Sequence, residues 1–303
     1  MSGPIAFTGA TGFIGSSLLA ELNSLDLPIR ALTRQPRQDS ANVQWVTGDL
    51  HDRESLQRLV QDAQLVIHCA GVVRGRSRAE FFHTNVQGTS NLIGLLAERD
   101  PLPRFLFISS LAAREPGLSW YASSKHAAEQ LLVQSSGALP WTIFRPTAVY
   151  GPGDRELKPL FRTMRRGVLP VLGSPENRIS LLYVDDLTAA VKSWVTAPTP
   201  VRGTYELADA TAEGYDYYGL AAVAGEVWGR PVRVIALPVF LGYLAAGINL
   251  LLAKMFRYAP MLTPGKVREL THPDWRCDAS AAEHALPGWQ ARVTFRDGLP
   301  GSV

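Results

Sequence analysis

Residues 5–15 read Ile5-Ala-Phe-Thr-Gly-Ala-Thr-Gly-Phe-Ile-Gly15, and Ser-Ser-Leu-Leu-Ala-Glu-Leu-Asn-Ser-Leu follows directly. A short apolar strand, a glycine-rich turn and an amphipathic helix in immediate succession form the arrangement that cradles a dinucleotide. Gly9 makes the tight turn, Gly12 lets the backbone approach a pyrophosphate, and Gly15 lets the helix pack closely on the strand. The helix N-terminus offers N–H groups and positive potential to the phosphates. Thr11, Phe13 and Ile14 complete the loop and count as cofactor-binding candidates.

The same alternation continues outward from this turn. Strands are expected at 29–33 (IRALT), 43–47 (VQWVT), 65–70 (LVIHCA), 104–109 (RFLFIS) and 141–144 (WTIF), with helices near 53–61, 79–99 and 121–135. Short apolar strands separated by helices predict an α/β fold: a Rossmann-like, doubly wound and mainly parallel sheet covered on both faces. Beyond RPTAVYGPGD (145–154) the pattern loosens, with a strand SLLYV (180–184), a helix from Asp186, a strand Thr204–Leu207 and a helix near 215–229. The reading is therefore a nucleotide-binding domain over 1–154, to which some later segments return, and a smaller substrate-binding lobe over 155–303. Tyr205, Tyr215, Tyr217 and Tyr218 are candidates to line that lobe, with packing as the alternative role for each.

The 303 residues are 46% hydrophobic and 19% charged, ample for a large core. Thirty basic against 27 acidic residues are too evenly balanced for a nucleic-acid binder. Cys69 and Cys277 support neither a disulfide framework nor a thiolate metal cluster, and the six histidines show no metal-ligand spacing. No metal is expected, and a reducing, cytoplasmic compartment fits. The N-terminus lacks the charged flank and apolar run of a secretory signal. A mean hydropathy of +0.02 raises the question of a membrane or an apolar ligand.

With these segments in place the chain resembles the extended, epimerase/dehydratase-like branch of the short-chain dehydrogenase/reductases, with some similarity to lipid- and steroid-directed members. The landmarks are the glycine turn, Asp49-Leu50, His68-Cys-Ala-Gly71, Asn85, Gly88-Thr89, Ser109-Ser110, Tyr121-Ala-Ser-Ser-Lys125, Arg145-Pro146, Tyr150-Gly-Pro-Gly153 and Tyr183-Val-Asp-Asp-Leu187, in the expected order over about residues 5–190. Tyr121 and Lys125 stand four apart, on one helical face. A phenol is a weak base at pH 7, and lowering its pKa by about three units asks for roughly 4 kcal/mol of phenolate stabilisation. Lys125 is the nearby charge expected to supply part of it. The resemblance implies that Lys125 also holds the nicotinamide ribose, that Ser110 steadies the substrate oxygen with Ser109 as substitute, that Tyr121 moves its proton, and that Asn85 holds the helix and a relay water.

The resemblance likewise implies that Asp49 accepts from the adenine amine and Leu50 packs on its ring. Ala70 and Gly71 let the backbone pass close to the cofactor, while Pro146, Thr147 and Val149 shape the nicotinamide pocket. After the second strand an NAD-preferring site places a carboxylate. Here the residues are Arg34-Gln-Pro-Arg37, so Arg34, together with Arg37, is expected to neutralise the 2′-phosphate of NADP, with NAD as the alternative. Asp185 and Asp186 are expected to cap a helix. Sugar-nucleotide members offer an arginine four residues before the residue matching Tyr183, but Ile179 stands there and Arg178 lies one step off, on the opposite face of a strand. Arg162, Arg165 and Arg166 are alternative phosphate ligands.

Residues 234–253 are uncharged and long enough, as one helix, to match a bilayer core. Pro238 favours a strand RVIAL (233–237) followed by a helix over 238–256. That helix is read as covering an apolar cleft or lying on a membrane surface, with a true span as the third option.

The expected function is an NADP(H)-dependent oxidoreductase interconverting a secondary alcohol and a ketone on a small or hydrophobic substrate. A nucleotide-sugar epimerase or dehydratase, and a nucleotide-binding accessory subunit or redox sensor, are the alternatives. Helices 79–99 and 121–135 are those expected to form a homodimer.

Overall fold

The computed structural model describes residues 3–135 and 137–303. In chain order the elements are β1 (Ile5–Thr8), α1 (Phe13–Asn23), β2 (Ile29–Thr33), β3 (Val43–Thr47), α2 (Arg53–Val60), β4 (Leu65–His68), α3 (Arg78–Phe82), a π-helical turn (His83–Gln87), α4 (Gly88–Ala97), β5 (Arg104–Ile108), α5 (Trp120–Ser135) and β6 (Trp141–Pro146). There follow β7 (Ala148–Tyr150), α6 (Lys158–Arg165), β8 (Val168–Leu172), β9 (Arg178–Ile179), β10 (Leu181–Tyr183), α7 (Val184–Thr196), β11 (Gly203–Leu207), α8 (Tyr217–Trp228), β12 (Arg233–Leu237), α9 (Val239–Phe256), α10 (Pro264–Leu270), β13 (Asp274–Trp275), α11 (Ser280–Ala285) and α12 (Phe295–Gly298).

Seven strands form one parallel sheet in the order β11-β6-β5-β4-β1-β2-β3. The chain winds outward from β1 through β2 to β3, then returns to β4 and winds the other way. The reversal between β1 and β4 opens a crevice at the strands' C-terminal ends, where open α/β sheets bind ligands. β1 and β4 are buried throughout, which is why they read as unbroken apolar runs. On one face Leu18, Leu22, Leu187, Val191 and Trp194 pack against the sheet; on the other, Leu56, Leu59, Leu92, Leu96 and Leu132 do so.

Three short two-stranded pairs, β7 with β10, β8 with β12 and β9 with β13, build a smaller lobe around Tyr150, Phe161, Met164, Leu169, Val171, Leu220 and Phe295. β11 leaves it to extend the large sheet beside β6, and Leu286 and Trp289 pack on the sheet core too.

Several elements differ from expectation. The helix over 79–99 contains a π-helical turn. The strand at 180–184 ends at Tyr183, which is the N-cap of α7. Asp185 and Asp186 therefore lie in that helix's first turn, where negative charge suits the dipole. The Asp186 carboxylate does not cap; it accepts from the backbone N–H groups of Arg292 (3.0 Å) and Val293 (2.9 Å) and anchors the C-terminal segment. α9 follows Pro238 as expected, but only Gly242, Ala246 and Ala253 are buried, so it is not a core helix.

Candidate active site

The crevice opens into a cavity of about 1870 Å³. That exceeds the roughly 300–1,000 Å³ of a single small-molecule site and has room for a dinucleotide and a second ligand. Gly9, Thr11, Gly12, Phe13, Ile14 and Gly15 line one end. Gly9 has φ +83°, and a Cβ there would lie 2.5–2.8 Å from backbone atoms of Cys69 and Ala70. At Gly15 a Cβ would lie 1.9 Å from the Gly9 carbonyl oxygen, whereas at Gly12 it would meet only that oxygen, at 3.6 Å. No side chain caps the N-terminus of α1, so its first N–H groups face the cavity end free to bind an anion. Farther along, the Thr147 hydroxyl is buried without a hydrogen-bond partner. A bare glycine cradle, an uncapped helix and an orphaned hydroxyl on one wall fit a dinucleotide.

Arg34, Asp49, Leu50, Ala70, Gly71, Pro146 and Val149 also line the cavity. Asp49 accepts from the His51 N–H (2.7 Å), which shapes the turn, and Leu50 packs so closely on the bare α4 start that a Cβ at Gly88 would lie 2.7 Å from it. Arg37 does not reach the cavity. Its guanidinium lies 5.1 Å from the centre of the Trp45 ring, a cation–π contact that turns it away from the site.

At the other end Ser119 starts α5: its hydroxyl accepts from the Ala122 N–H (3.0 Å) and donates to Glu269. Tyr121 and Lys125 follow one turn apart. Lys125 is buried, donates to the Ile108 carbonyl (2.9 Å), and lies beneath Gly71, where a Cβ would sit 3.4 Å from Nζ and 3.1 Å from Asn85 Oδ1. The paired serines have different surroundings. Ser109 donates to Glu129 (2.5 Å), itself held by Arg145, whereas Ser110 accepts from the Ala112 N–H (3.2 Å) and hydrogen-bonds the Tyr121 phenol.

Burial pushes the Tyr121 phenol up to about 12; the Ser110 hydrogen bond opposes this, and Glu269 and Cys69 add to it. Burial brings Lys125 down to about 8, against the attraction of Cys69 and Glu129. The expected lowering of the phenol by Lys125 is not found: desolvation raises it, and the opposing contribution comes from Ser110. Tyr121 keeps its proton at neutral pH, the state that can donate to a developing alkoxide.

Asn85 lies in the π-helical turn, a feature frequent at functional sites. Its side chain accepts from the Val72 N–H (2.8 Å) and donates to the Val72 carbonyl (3.1 Å) and Ser124 Oγ (2.9 Å). A buried chain supports the turn from beneath. The Thr89 hydroxyl gives its only hydrogen to the Asn85 carbonyl (2.7 Å), so His68 Nε2 must be the protonated nitrogen that donates to Thr89 (2.8 Å). Nδ1 then accepts from the Thr8 hydroxyl (2.7 Å). Burial, reinforced by Lys125, lowers His68 to about 3. Because the unfolded chain takes up this proton near 6.5 and the folded chain does so only near 3, stability is lost as pH falls through that window. Wild type should lose up to about 1.4 kcal/mol per pH unit below 6.5 relative to His68→Gln. Urea denaturation of both proteins at pH 7, 6 and 5 checks this; parallel profiles count against it.

Sequence reasoning missed Glu269 and Lys266, which line the cavity from α10 and form a 2.9 Å ion pair. Thr263-Pro264 is a readable cap signal for that helix, but no motif links Glu269 to Ser119, 150 residues away. His51 and His83, stacked with ring centres 3.7 Å apart on the rim, were also not singled out. Of the four tyrosines considered for the substrate lobe, Tyr217 alone lines the cavity; Tyr215 is tied to Asp209 and Thr211. Arg162, Arg165, Arg166 and Arg178 do not line it, and Arg178 faces Asp216 at 3.8 Å.

A family model described as the NAD dependent epimerase/dehydratase family matches residues 5–208, about two thirds of the sequence. The chain belongs to this family. It is an NAD(P)-dependent enzyme of the oxidoreductase or epimerase type, built on a mainly parallel sheet. A ceramide reductase from Caulobacter vibrioides is 37% identical over 291 residues, covering 94% of this chain and 89% of that protein. A UDP-glucose 4-epimerase from Vibrio cholerae is 25% identical, covering 78% and 80%. Among solved structures, a UDP-glucuronic acid 4-epimerase from Bacillus cereus, in complex with UDP-glucuronic acid and NAD, has a TM-score of 0.75 at 19% identity, covering 99% of this chain and 97% of that one. At that identity the likeness is one of fold.

Proposed function

We propose that this epimerase/dehydratase-family protein is an NADP(H)-dependent reductase that converts the ketone of a long-chain, ceramide-like substrate to a secondary alcohol. The carrying observation is the apolar share of the cavity lining: Leu160, Met164 and Leu172 from α6 and β8, Leu241 from α9, and Met261 and Leu262 from the following loop all line it. The 37% identity to a ceramide reductase supports the same reading.

The nicotinamide supplies the hydride. The chain's own residues manage the proton. Ser110 and Tyr121 hold the substrate oxygen, Tyr121 donates its phenolic proton as negative charge develops there, and Lys125 stabilises the phenolate left behind. Asn85, braced by Thr89 and His68, keeps Val72 and Gly71 in place beside Lys125. Arg34 meets the 2′-phosphate. Charge-assisted hydrogen bonds contribute roughly 1.5–3 kcal/mol, so Arg34→Ala is expected to raise the KM for NADPH about 10- to 100-fold while changing that for NADH less than about threefold. Equal effects on both cofactors would remove Arg34 from this role.

Nucleotide-sugar epimerisation is the second reading, favoured by the epimerase fold neighbour and the Vibrio cholerae relative. The two separate in one assay. Loss of NADPH absorbance with a long-chain α-amido ketone, and none with UDP-glucose or UDP-glucuronic acid, is the expected result. Interconversion of the UDP-sugars at constant absorbance decides for the epimerase.

A further inference from the structure

α9 is apolar on the side it turns away from the protein. Phe240, Leu244, Ile248, Leu251 and Met255 recur at helical spacing along it and are 66, 59, 52, 69 and 63% exposed. Phe256, next to Met255, is exposed as well. A continuous apolar stripe of this length is not an ordinary soluble surface.

Charge says what covers it. Between Glu226 and Glu269 the sequence contains no acidic residue, but it carries Arg230, Arg233, Lys254, Arg257, Lys266 and Arg268. Lys266 is paired with Glu269 and Arg268 donates to the Leu118 carbonyl. Arg233, Lys254 and Arg257 are exposed, and their side chains make no ion pair or hydrogen bond among the described residues. Lys254 and Arg257 flank Met255 and Phe256 at the C-terminal end of the stripe. An apolar stripe flanked by unpaired cations, on a stretch of chain that contributes no acid, matches the interface of a bilayer containing anionic lipid.

We infer that α9 is a membrane-docking helix that lies in the plane of an anionic lipid surface. A span is opposed by how the helix is tied down. Asn249 donates to the Leu262 carbonyl (2.9 Å) and accepts from the Tyr258 hydroxyl, and Gly242 packs so closely on Leu172 that a Cβ would lie 3.0 Å from it. Crossing a membrane would strip these contacts from one whole side. The orientation also joins the surface to the cavity, because Leu241, Ala245 and Leu250 of the same helix line the cavity. An apolar substrate can then pass from bilayer to site along α9. Docking itself stands on the helix surface and does not depend on the substrate proposed above.

The test is co-sedimentation of the full chain with vesicles of phosphatidylcholine alone or with about 30% phosphatidylglycerol. Binding to the anionic vesicles is expected to be at least tenfold stronger and to weaken in 0.5 M salt. Leu244→Glu with Leu251→Glu, both outside the cavity lining, should abolish it while NADPH binding and circular dichroism stay unchanged. Lys254→Glu with Arg257→Glu should remove the preference for anionic vesicles, at about fivefold per cation. Bound protein should be released by alkaline carbonate. Three results overturn the inference: no sedimentation with either vesicle; a dimer in light scattering that the leucine variants dissociate, without vesicle binding; or retention after carbonate.

Discussion

Tyr121→Phe should lower turnover about 10³- to 10⁴-fold, the upper part of the range for loss of a positioned general acid, while dinucleotide affinity stays within about threefold. The ring remains to pack beside Phe81, with centroids 6.4 Å apart, so the site keeps its shape. Only the proton is lost. Burial holds the phenol at about 12 and Lys125 at about 8, so the wild-type reduction rate should be level from pH 6 to about 7 and fall to half near pH 8 as Lys125 loses its charge. Single-turnover NADPH oxidation, with binding followed by nicotinamide fluorescence, measures both. A variant retaining more than about a tenth of wild-type turnover would mean that another group delivers the proton.

Gly15→Ala should raise the dinucleotide Kd at least about 100-fold and destabilise the fold by roughly 1–3 kcal/mol, the usual cost of overpacking. The added Cβ would stand 1.9 Å from the Gly9 oxygen and 2.7 Å from its carbonyl carbon. Both belong to backbone, so no flexible side chain can yield. Helix α1 must move off β1, and the phosphate cradle moves with it. Gly12→Ala is the control. Its Cβ has only the Gly9 oxygen as neighbour, at 3.6 Å, so stability should hold while the methyl group intrudes where phosphate must approach. Thermal melts and cofactor titrations of the pair separate the two glycines' roles; equal stability in both variants would contradict the packing role of Gly15.

The glycine turn and the Tyr121–Lys125 pair were legible because each is contained within a few consecutive residues, where spacing alone sets geometry. For the serine pair the resemblance put Ser110 first, but the physical reason was not legible. Ser109 and Ser110 are chemically identical neighbours, and the difference between them comes from Glu129, twenty residues away on α5, which takes the hydroxyl of Ser109. Arg37 follows the same logic: its sequence position beside Arg34 indicated a phosphate ligand, but Trp45 on the neighbouring strand supplies a competing aromatic face. Asp186 sits where a cap is expected and instead binds backbone more than 100 residues later.

By itself, then, the sequence determined the parallel α/β sheet, the dinucleotide turn, the helix pairing Tyr121 with Lys125, and the existence and length of α9. These depend on periodicities of two and 3.6 residues and on turn chemistry, which act over a few residues. Tertiary structure alone decided what sets Ser109 apart from Ser110, that Glu269 and Lys266 join the cavity, that burial raises the Tyr121 phenol, and that α9 turns its apolar face outward. Those outcomes depend on which distant surfaces pack together and how much water they exclude, and no local pattern encodes either.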